Sequence, residues 1–247
     1  MYGICEEASK HDYDIVMSII KEGNYQQLHR IVRNHKVDGI ILSRSTIHSE
    51  AVDFLKENGM PLVVIGPTDD PEVVCVDNPN REASCELTGF LLMKGIQRLA
   101  LIGGDSRHYV TESRRAGFVD AHQERGIRVN NALMFMEVKD YRNASWAVEQ
   151  ILRAGADGIV CMDDSICNLV LGCLREKGVD VPSVLKLASL YDSRQMERNV
   201  PAVTSIYFDT KELGRKACMK MLEMLGENME EEQCALAYQV ILRESTK

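Results

Sequence analysis

The stretch that decides the fold is Gly158-Ile159-Val160-Cys161-Met162-Asp163-Asp164-Ser165-Ile166-Cys167-Asn168-Leu169-Val170-Leu171-Gly172-Cys173. Gly158–Met162 is an uninterrupted apolar run, short enough for a strand buried on both faces. Two aspartates interrupt it, and apolar residues then resume at helical spacing as Ile166, Leu169, Val170 and Cys173. Asp164, directly before that run, reads as the helix N-cap, which leaves Asp163 to face whatever lies beyond the strand. Buried strand, polar turn and amphipathic helix together make one unit of a parallel α/β sheet.

The unit recurs on both sides of this stretch. Asp14–Ser18, Gly39–Leu42, Leu62–Ile65, Leu99–Gly103 and Leu185–Ser189 read as further buried strands. Helical periodicity predicts helices over about 24–35, 47–58, 80–94, 112–125, 144–153, 165–177 and 210–225. Asp209 with Glu212 forms a capping box before the last of these, and Gly226 stops it. Such alternation means doubly wound parallel sheets with helices on both faces. Two smaller sheets suit the length better than a single one, with a break after Asp77-Asn78-Pro79-Asn80 leading into the next helix.

Composition excludes whole classes. With 247 residues, 45% hydrophobic and 27% charged, the chain is globular. Its 29 Lys+Arg against 37 Asp+Glu give a net charge of −8, which opposes a broad nucleic-acid footprint. Runs such as Gly39–Leu42 are too short to cross a bilayer, and Met1–Glu7 has no signal-peptide character. The eight cysteines contain no CxxC pair and read as reduced thiols of a cytoplasmic protein.

In open α/β sheets ligands bind beyond the carboxyl ends of the strands. Those ends carry Ser43, Gly66, Asp77, Gly103-Gly104-Asp105, Asp163-Asp164 and Tyr191-Asp192. Carboxylates there can accept hydrogen bonds from the hydroxyls of a polyol, and an arginine can donate in a planar fork. Each has a plainer reading beside it: Asp77 and Asp192 are good turn residues, and Tyr141 suits a half-buried helix entry. Arg114 near a helix start could be a solvated charge, although the helix dipole disfavours it there. Metal and catalytic readings fail on spacing. His29 and His35 share no helical face, the cysteines at 161, 167 and 173 are six apart, and Gly103-Gly104-Asp105 lacks a phosphate-cradle pattern. No Gly-x-Ser-x-Gly elbow is present, and Met219–Glu232 reads as a solvated acidic helix end. No cofactor, metal or catalytic residue is expected, and the chain is not read as an enzyme.

Several segments, in order, resemble the lactose/galactose-repressor (LacI/GalR) family. Arg114-Arg115-Ala116-Gly117-Phe118 is similar to its Arg-x-x-Gly-Phe segment, and Val37–Leu42 to its "VDGIIL" strand. Met162-Asp163-Asp164 stands where the family has Ala-Asn-Asp, and Leu190-Tyr191-Asp192 resembles its Gly-Phe/Tyr-Asp turn. Pro201–Ile206 and the terminal Arg243-Glu244-Ser245-Thr246 are similar to its later segments. The resemblance implies a regulatory core of periplasmic binding protein type I, with two subdomains joined by three crossovers and a sugar-like effector between them. The expected subdomains are 1–89 plus 209–236 and 90–208 plus 237–247. The implied ligand residues are Asp77, Arg114, Tyr141 as a stacking ring, Asp163, Asp192 at the floor and Phe208 closing one wall. The implied partners are a small-molecule effector, a second copy in a homodimer, and DNA only through a helix-turn-helix that this chain lacks.

Two departures from the family pattern stand out. Asp163 replaces an asparagine, which adds a charge, and Gly3–Ala8 matches the second half of the family's first core helix, so the strand before it has no counterpart. That strand would lie between 14–18 and 62–65. Its loss predicts a first subdomain that is less ordered or is completed by a neighbouring copy. Competing with the repressor core are a stand-alone solute-binding protein of the same fold and a sugar kinase-like enzyme. The first lacks a leader sequence here, and the second lacks a phosphate loop.

Overall fold

The computed structural model describes residues 1–20, 23–44, 46–229 and 236–247. In chain order the first elements are α1 (Tyr2–Lys10), α2 (Gln26–Arg33), β1 (Ile40–Leu42), α3 (Glu50–Glu57), β2 (Leu62–Ile65) and β3 (Val74–Val76). They are followed by α4 (Asn80–Met93), β4 (Leu99–Ile102), α5 (Tyr109–Gln123), β5 (Met134–Phe135), α6 (Tyr141–Arg153), β6 (Gly158–Cys161) and α7 (Asp164–Glu176). The chain continues through β7 (Lys186–Ser189), α8 (Arg194–Arg198), β8 (Thr204–Phe208), α9 (Thr210–Met224) and β9 (Tyr238–Ile241). Two compact units result, one of Met1–Asn78 with Asp209–Leu236, the other of Pro79–Phe208 with Ala237–Lys247. The chain therefore passes between units at 78/79, 208/209 and 236/237. A first boundary at 89/90 would cut α4 in two. The whole helix stays with the second unit, where α4 and α5 lie face to face.

That close packing has a local cause. A Cβ on Gly117 would come within 2.1 Å of the Arg81 carbonyl oxygen, so only glycine lets α5 approach α4 this closely. Phe118, beside it, is 1% exposed and fills the space between the helices and the sheet. The Gly-Phe pair of the sequence motif is thus a packing device.

The first unit holds a three-stranded sheet in the order β1-β2-β3, all parallel. Side chains alternate across β2: Leu62 and Val64 meet Leu28, Val32, Val52 and Leu55 of α2 and α3, while Val63 meets Ala217 and Met221 of α9. Asp209 caps α9, its Oδ1 accepting from the backbone N–H of Lys211 and Glu212 at 3.0 and 2.9 Å. The second unit holds six strands in the order β5-β4-β6-β7-β8-β9, parallel except for the β8–β9 pair. Both faces of β4 and β6 are buried, by α6 and α7 on one side and α4 and α5 on the other.

Three expectations need correction. Asp14–Ser18 is not a strand: among the described residues it joins no ladder, and apolar composition alone cannot satisfy a backbone. The cap of α7 is Asp163, not Asp164; the latter already lies in the first turn. Helices α5 and α6 begin three residues earlier than their periodicity suggested, at Tyr109 and Tyr141. The acidic end read over Met219–Glu232 falls partly at 230–232, outside the described residues. No described helix is long and apolar enough to cross a membrane.

Candidate functional site

The carboxyl ends of β4, β6, β7 and β8 in the second unit gather most of the residues singled out above. Arg114 reaches them from α5. It is 8% exposed, and its Nη1 donates to the Met162 carbonyl at 2.5 Å, just past β6. Its Nε donates to Asn80 Oδ1 at 3.2 Å, at the start of α4. Its guanidinium carbon lies 5.9 Å from the Tyr191 ring centroid, a cation–π distance. Tyr191 in turn stacks on Phe208 at 6.4 Å and 26°, and Phe208 leans on Tyr238 at 6.2 Å. Arg114, Tyr191 and Phe208 therefore form one continuous cation–aromatic wall. Burial pushes the Tyr191 hydroxyl above its ordinary pKa, so it stays a protonated donor at neutral pH.

The other candidates are held differently. Asp163 accepts from the Ile166 N–H at 2.7 Å as the cap of α7, which fixes the side chain at the mouth of β6. Asp192 turns its carboxylate towards Arg243, at 2.7 and 3.1 Å, and takes the Ser205 hydroxyl at 2.5 Å. Burial opposes its charge, but the Arg243 and Ser205 hydrogen bonds outweigh burial and hold the carboxyl below its usual range. The rest of the terminal segment is equally structural: Ser245 Oγ donates to the Leu187 carbonyl at 2.6 Å and accepts from the Thr204 N–H at 2.9 Å. Tyr141 is the first residue of α6, which Asp140 caps through the Asn143 N–H at 2.8 Å. Its hydroxyl bonds to Glu176, and its ring edge lies 4.0 Å from where a Cβ on Gly172 would stand, so it packs on the flank of α7. Asp77 follows β3 in the first unit, at the carboxyl end of that sheet.

Two polar groups at these strand ends escaped the sequence reading. His108 Nδ1, ahead of α5, and Ser193 Oγ, ahead of α8, are buried side-chain atoms with no hydrogen-bond partner. A buried polar atom left unpaired costs about 1–3 kcal/mol. Residue type gave no signal for either; only burial exposes them. Asp105, by contrast, is engaged by Arg107 at 2.6 Å and Lys139 at 3.5 Å, which with the Arg107 backbone N–H hold its carboxyl far below the usual range. Among the described residues, no three His, Cys, Asp or Glu side chains are arranged to hold a metal. Cys161, Cys167 and Cys173 are fully buried core residues.

The sequence profile of the periplasmic binding protein-like domain matches residues 88–246. The chain belongs to the periplasmic binding protein-like domain family. Within that family its relatives are LacI-type regulators, and it corresponds to their effector-binding core. The HTH-type transcriptional regulator RegA of Clostridium saccharobutylicum is 24% identical over 246 residues, covering 96% of this chain and 73% of RegA. Catabolite control protein A of Staphylococcus aureus is 26% identical over 216 residues, 86% of this chain but 65% of that protein, just under two thirds of its length. Among solved structures, a transcriptional regulator LacI of Bacillus cereus subsp. cytotoxis superposes with a TM-score of 0.91 at 25% identity, over 100% of this chain and 90% of that one. A complex of the transcriptional regulator CelR with cellobiose gives 0.90 at 25% identity, over 99% and 77%.

Proposed function

We propose that this periplasmic binding protein-like chain is the ligand-sensing core of a transcription regulator, taking a sugar or sugar-like molecule and passing the occupied state on as altered DNA binding. The observation that carries the reading is the pair of unpartnered buried atoms, His108 Nδ1 and Ser193 Oγ, at the same strand ends as the Arg114–Tyr191–Phe208 wall. A polyol supplies what such a place asks for, since each hydroxyl both donates and accepts, while its C–H face lies against an aromatic ring. Cellobiose on CelR is a ligand of that chemistry. In this reading Asp163 contributes its second carboxylate oxygen, while Arg114 and Asp192 hold the wall and floor in place; Asp77 is proposed separately as a ligand contact of the first unit. Tyr141 is the weakest member of the proposed set, because its hydroxyl is already committed to Glu176.

The test is a thermal-shift screen with mono- and disaccharides, sugar phosphates and nucleosides, followed by titration calorimetry on any hit. A sugar should raise the melting temperature, and His108→Ala and Ser193→Ala should each weaken its binding by roughly tenfold, about 1.4 kcal/mol, without lowering the melting temperature of the free protein. Wild-type affinity in both variants would remove these strand ends from the site. A nucleoside or phosphorylated compound as the sole hit would overturn the neutral-sugar assignment.

A further inference from the structure

The wall of Arg114, Tyr191 and Phe208 continues into Tyr238, and a fifth residue fixes its far end. Phe208 and Tyr238 are direct partners across the antiparallel β8–β9 pair, where facing side chains set each other's orientation. Phe208 is 4% exposed and lies between two rings, Tyr191 at 6.4 Å and 26° and Tyr238 at 6.2 Å and 51°. Its ring plane is therefore decided by those neighbours, because aromatic pairs favour a few offset or edge-on arrangements.

Tyr191 is braced on its other side by the Arg114 guanidinium, and Tyr238 needs a brace of its own. It is the first residue of β9, which among the described residues has β8 as its only ladder neighbour, so no further strand holds the ring from outside. Its hydroxyl instead donates to Glu86 Oε2 of α4 at 2.6 Å, across 152 residues of sequence. A hydroxyl given to a carboxylate makes a charge-assisted bond, about twice as strong as a neutral one. Burial, with the Glu86 carboxylate adding to it, pushes the Tyr238 hydroxyl up to about 12, so it remains a donor at neutral pH.

We propose that Glu86 and Tyr238 are positioning residues of this wall, holding Phe208, and through it Tyr191, in the orientation that receives the C–H face of the ligand. The inference rests on the sugar reading above and adds to it two residues that act through Phe208 and not on the ligand itself. A ring that must be ordered at the moment of binding subtracts from affinity, whereas a ring already held does not. Removing the carboxylate should therefore be felt at the wall, two rings away.

The experiment uses the whole chain with isotope-labelled phenylalanine rings; there are five, and Phe208→Leu identifies the Phe208 signals by their loss. Glu86→Ala, which alters no ring, should shift these signals and weaken their cross-relaxation with Tyr191. Glu86→Gln, which keeps an oxygen acceptor, should restore both, and in a Tyr238→Phe background Glu86→Ala should have no further effect. In calorimetry with cellobiose as the probe, Glu86→Ala and Tyr238→Phe should each weaken binding about fivefold, and neither should add to the loss in Phe208→Leu. Phe208 signals that stay in place in Glu86→Ala would overturn the proposal. So would signals that move while cellobiose affinity does not, since the pair would then be a fastening of β9 alone. A wild-type chain that ignores cellobiose would count against the sugar as ligand, and the Phe208 signals by themselves would then decide the positioning role.

Discussion

Arg114 carries its charge into a place where Asn80, the Met162 carbonyl and the Tyr191 ring are its surroundings, so its removal strips three elements of a shared partner. Arg114→Ala should therefore cost the second unit about 2–4 kcal/mol in urea unfolding, in addition to any loss of ligand affinity. Arg114→Lys should keep part of the stability, because a lysine restores the charge without the planar fork. The Asp192–Arg243 pair, with side chains 11% and 14% exposed respectively, makes a second prediction. Truncating either partner leaves a largely buried charge unpaired and should cost about 3–5 kcal/mol, whereas the double variant Asp192→Asn/Arg243→Met should recover much of the loss. Because the folded state lowers the Asp192 pKa, its contribution is complete above the unfolded value near 3.9 and disappears as pH falls through the folded value. The stability gap between wild type and Asp192→Asn should thus narrow below about pH 4. The sequence named Asp192 but not its partner, since Arg243 lies 51 residues away and only the fold brings them together. Asp163 and Asp164 were exchanged as helix cap for a similar reason: adjacent aspartates carry the same local signal, and one residue of register decides between them.

At the scale of the element, α5 carries a titratable group in its last turn. His122 is 4% exposed, its ring 4.5 Å from Phe118, and its Nδ1–H donates to the Phe118 carbonyl at 2.8 Å. Burial, with Arg125 nearby adding to it, lowers its pKa below the ordinary value, although the Phe118 hydrogen bond partly opposes this. In the window between the lowered folded value and the unfolded value near 6.5, the unfolded chain binds more protons, so stability falls as pH drops from about 7 towards 5. His122→Gln, which keeps a donor to Phe118, should flatten that slope in urea midpoints measured across the same range. An unchanged slope would show that His122 does not set it. Strands β2, β4, β6 and β7 were readable because burial on both faces makes a continuous apolar run. β3, β5 and β9 were not, since their residues are partly exposed and two to four residues hold too little pattern. The run at 14–18 has the composition without the ladder, and a ladder is a property of a neighbour rather than of the segment itself.

The two units differ in how completely their sheets protect themselves. Among the described residues, four of the six strands of the second unit (β4, β6, β7 and β8) are flanked on both sides, and in the first β2 is, with β1 and β3 as edges. Local opening free energies follow the density of paired and buried backbone, so the first unit should supply the low-stability part of the molecule. Amides of β1 and β3 should exchange at least about tenfold faster than those of β4, β6 and β7, with the central β2 between them. Urea should then give two transitions, the first reported by exchange at Leu62–Ile65 and the second by Leu99–Ile102 and Gly158–Cys161, in place of one cooperative step. Equal, slow exchange in all of these strands would show that three paired strands protect as well as six.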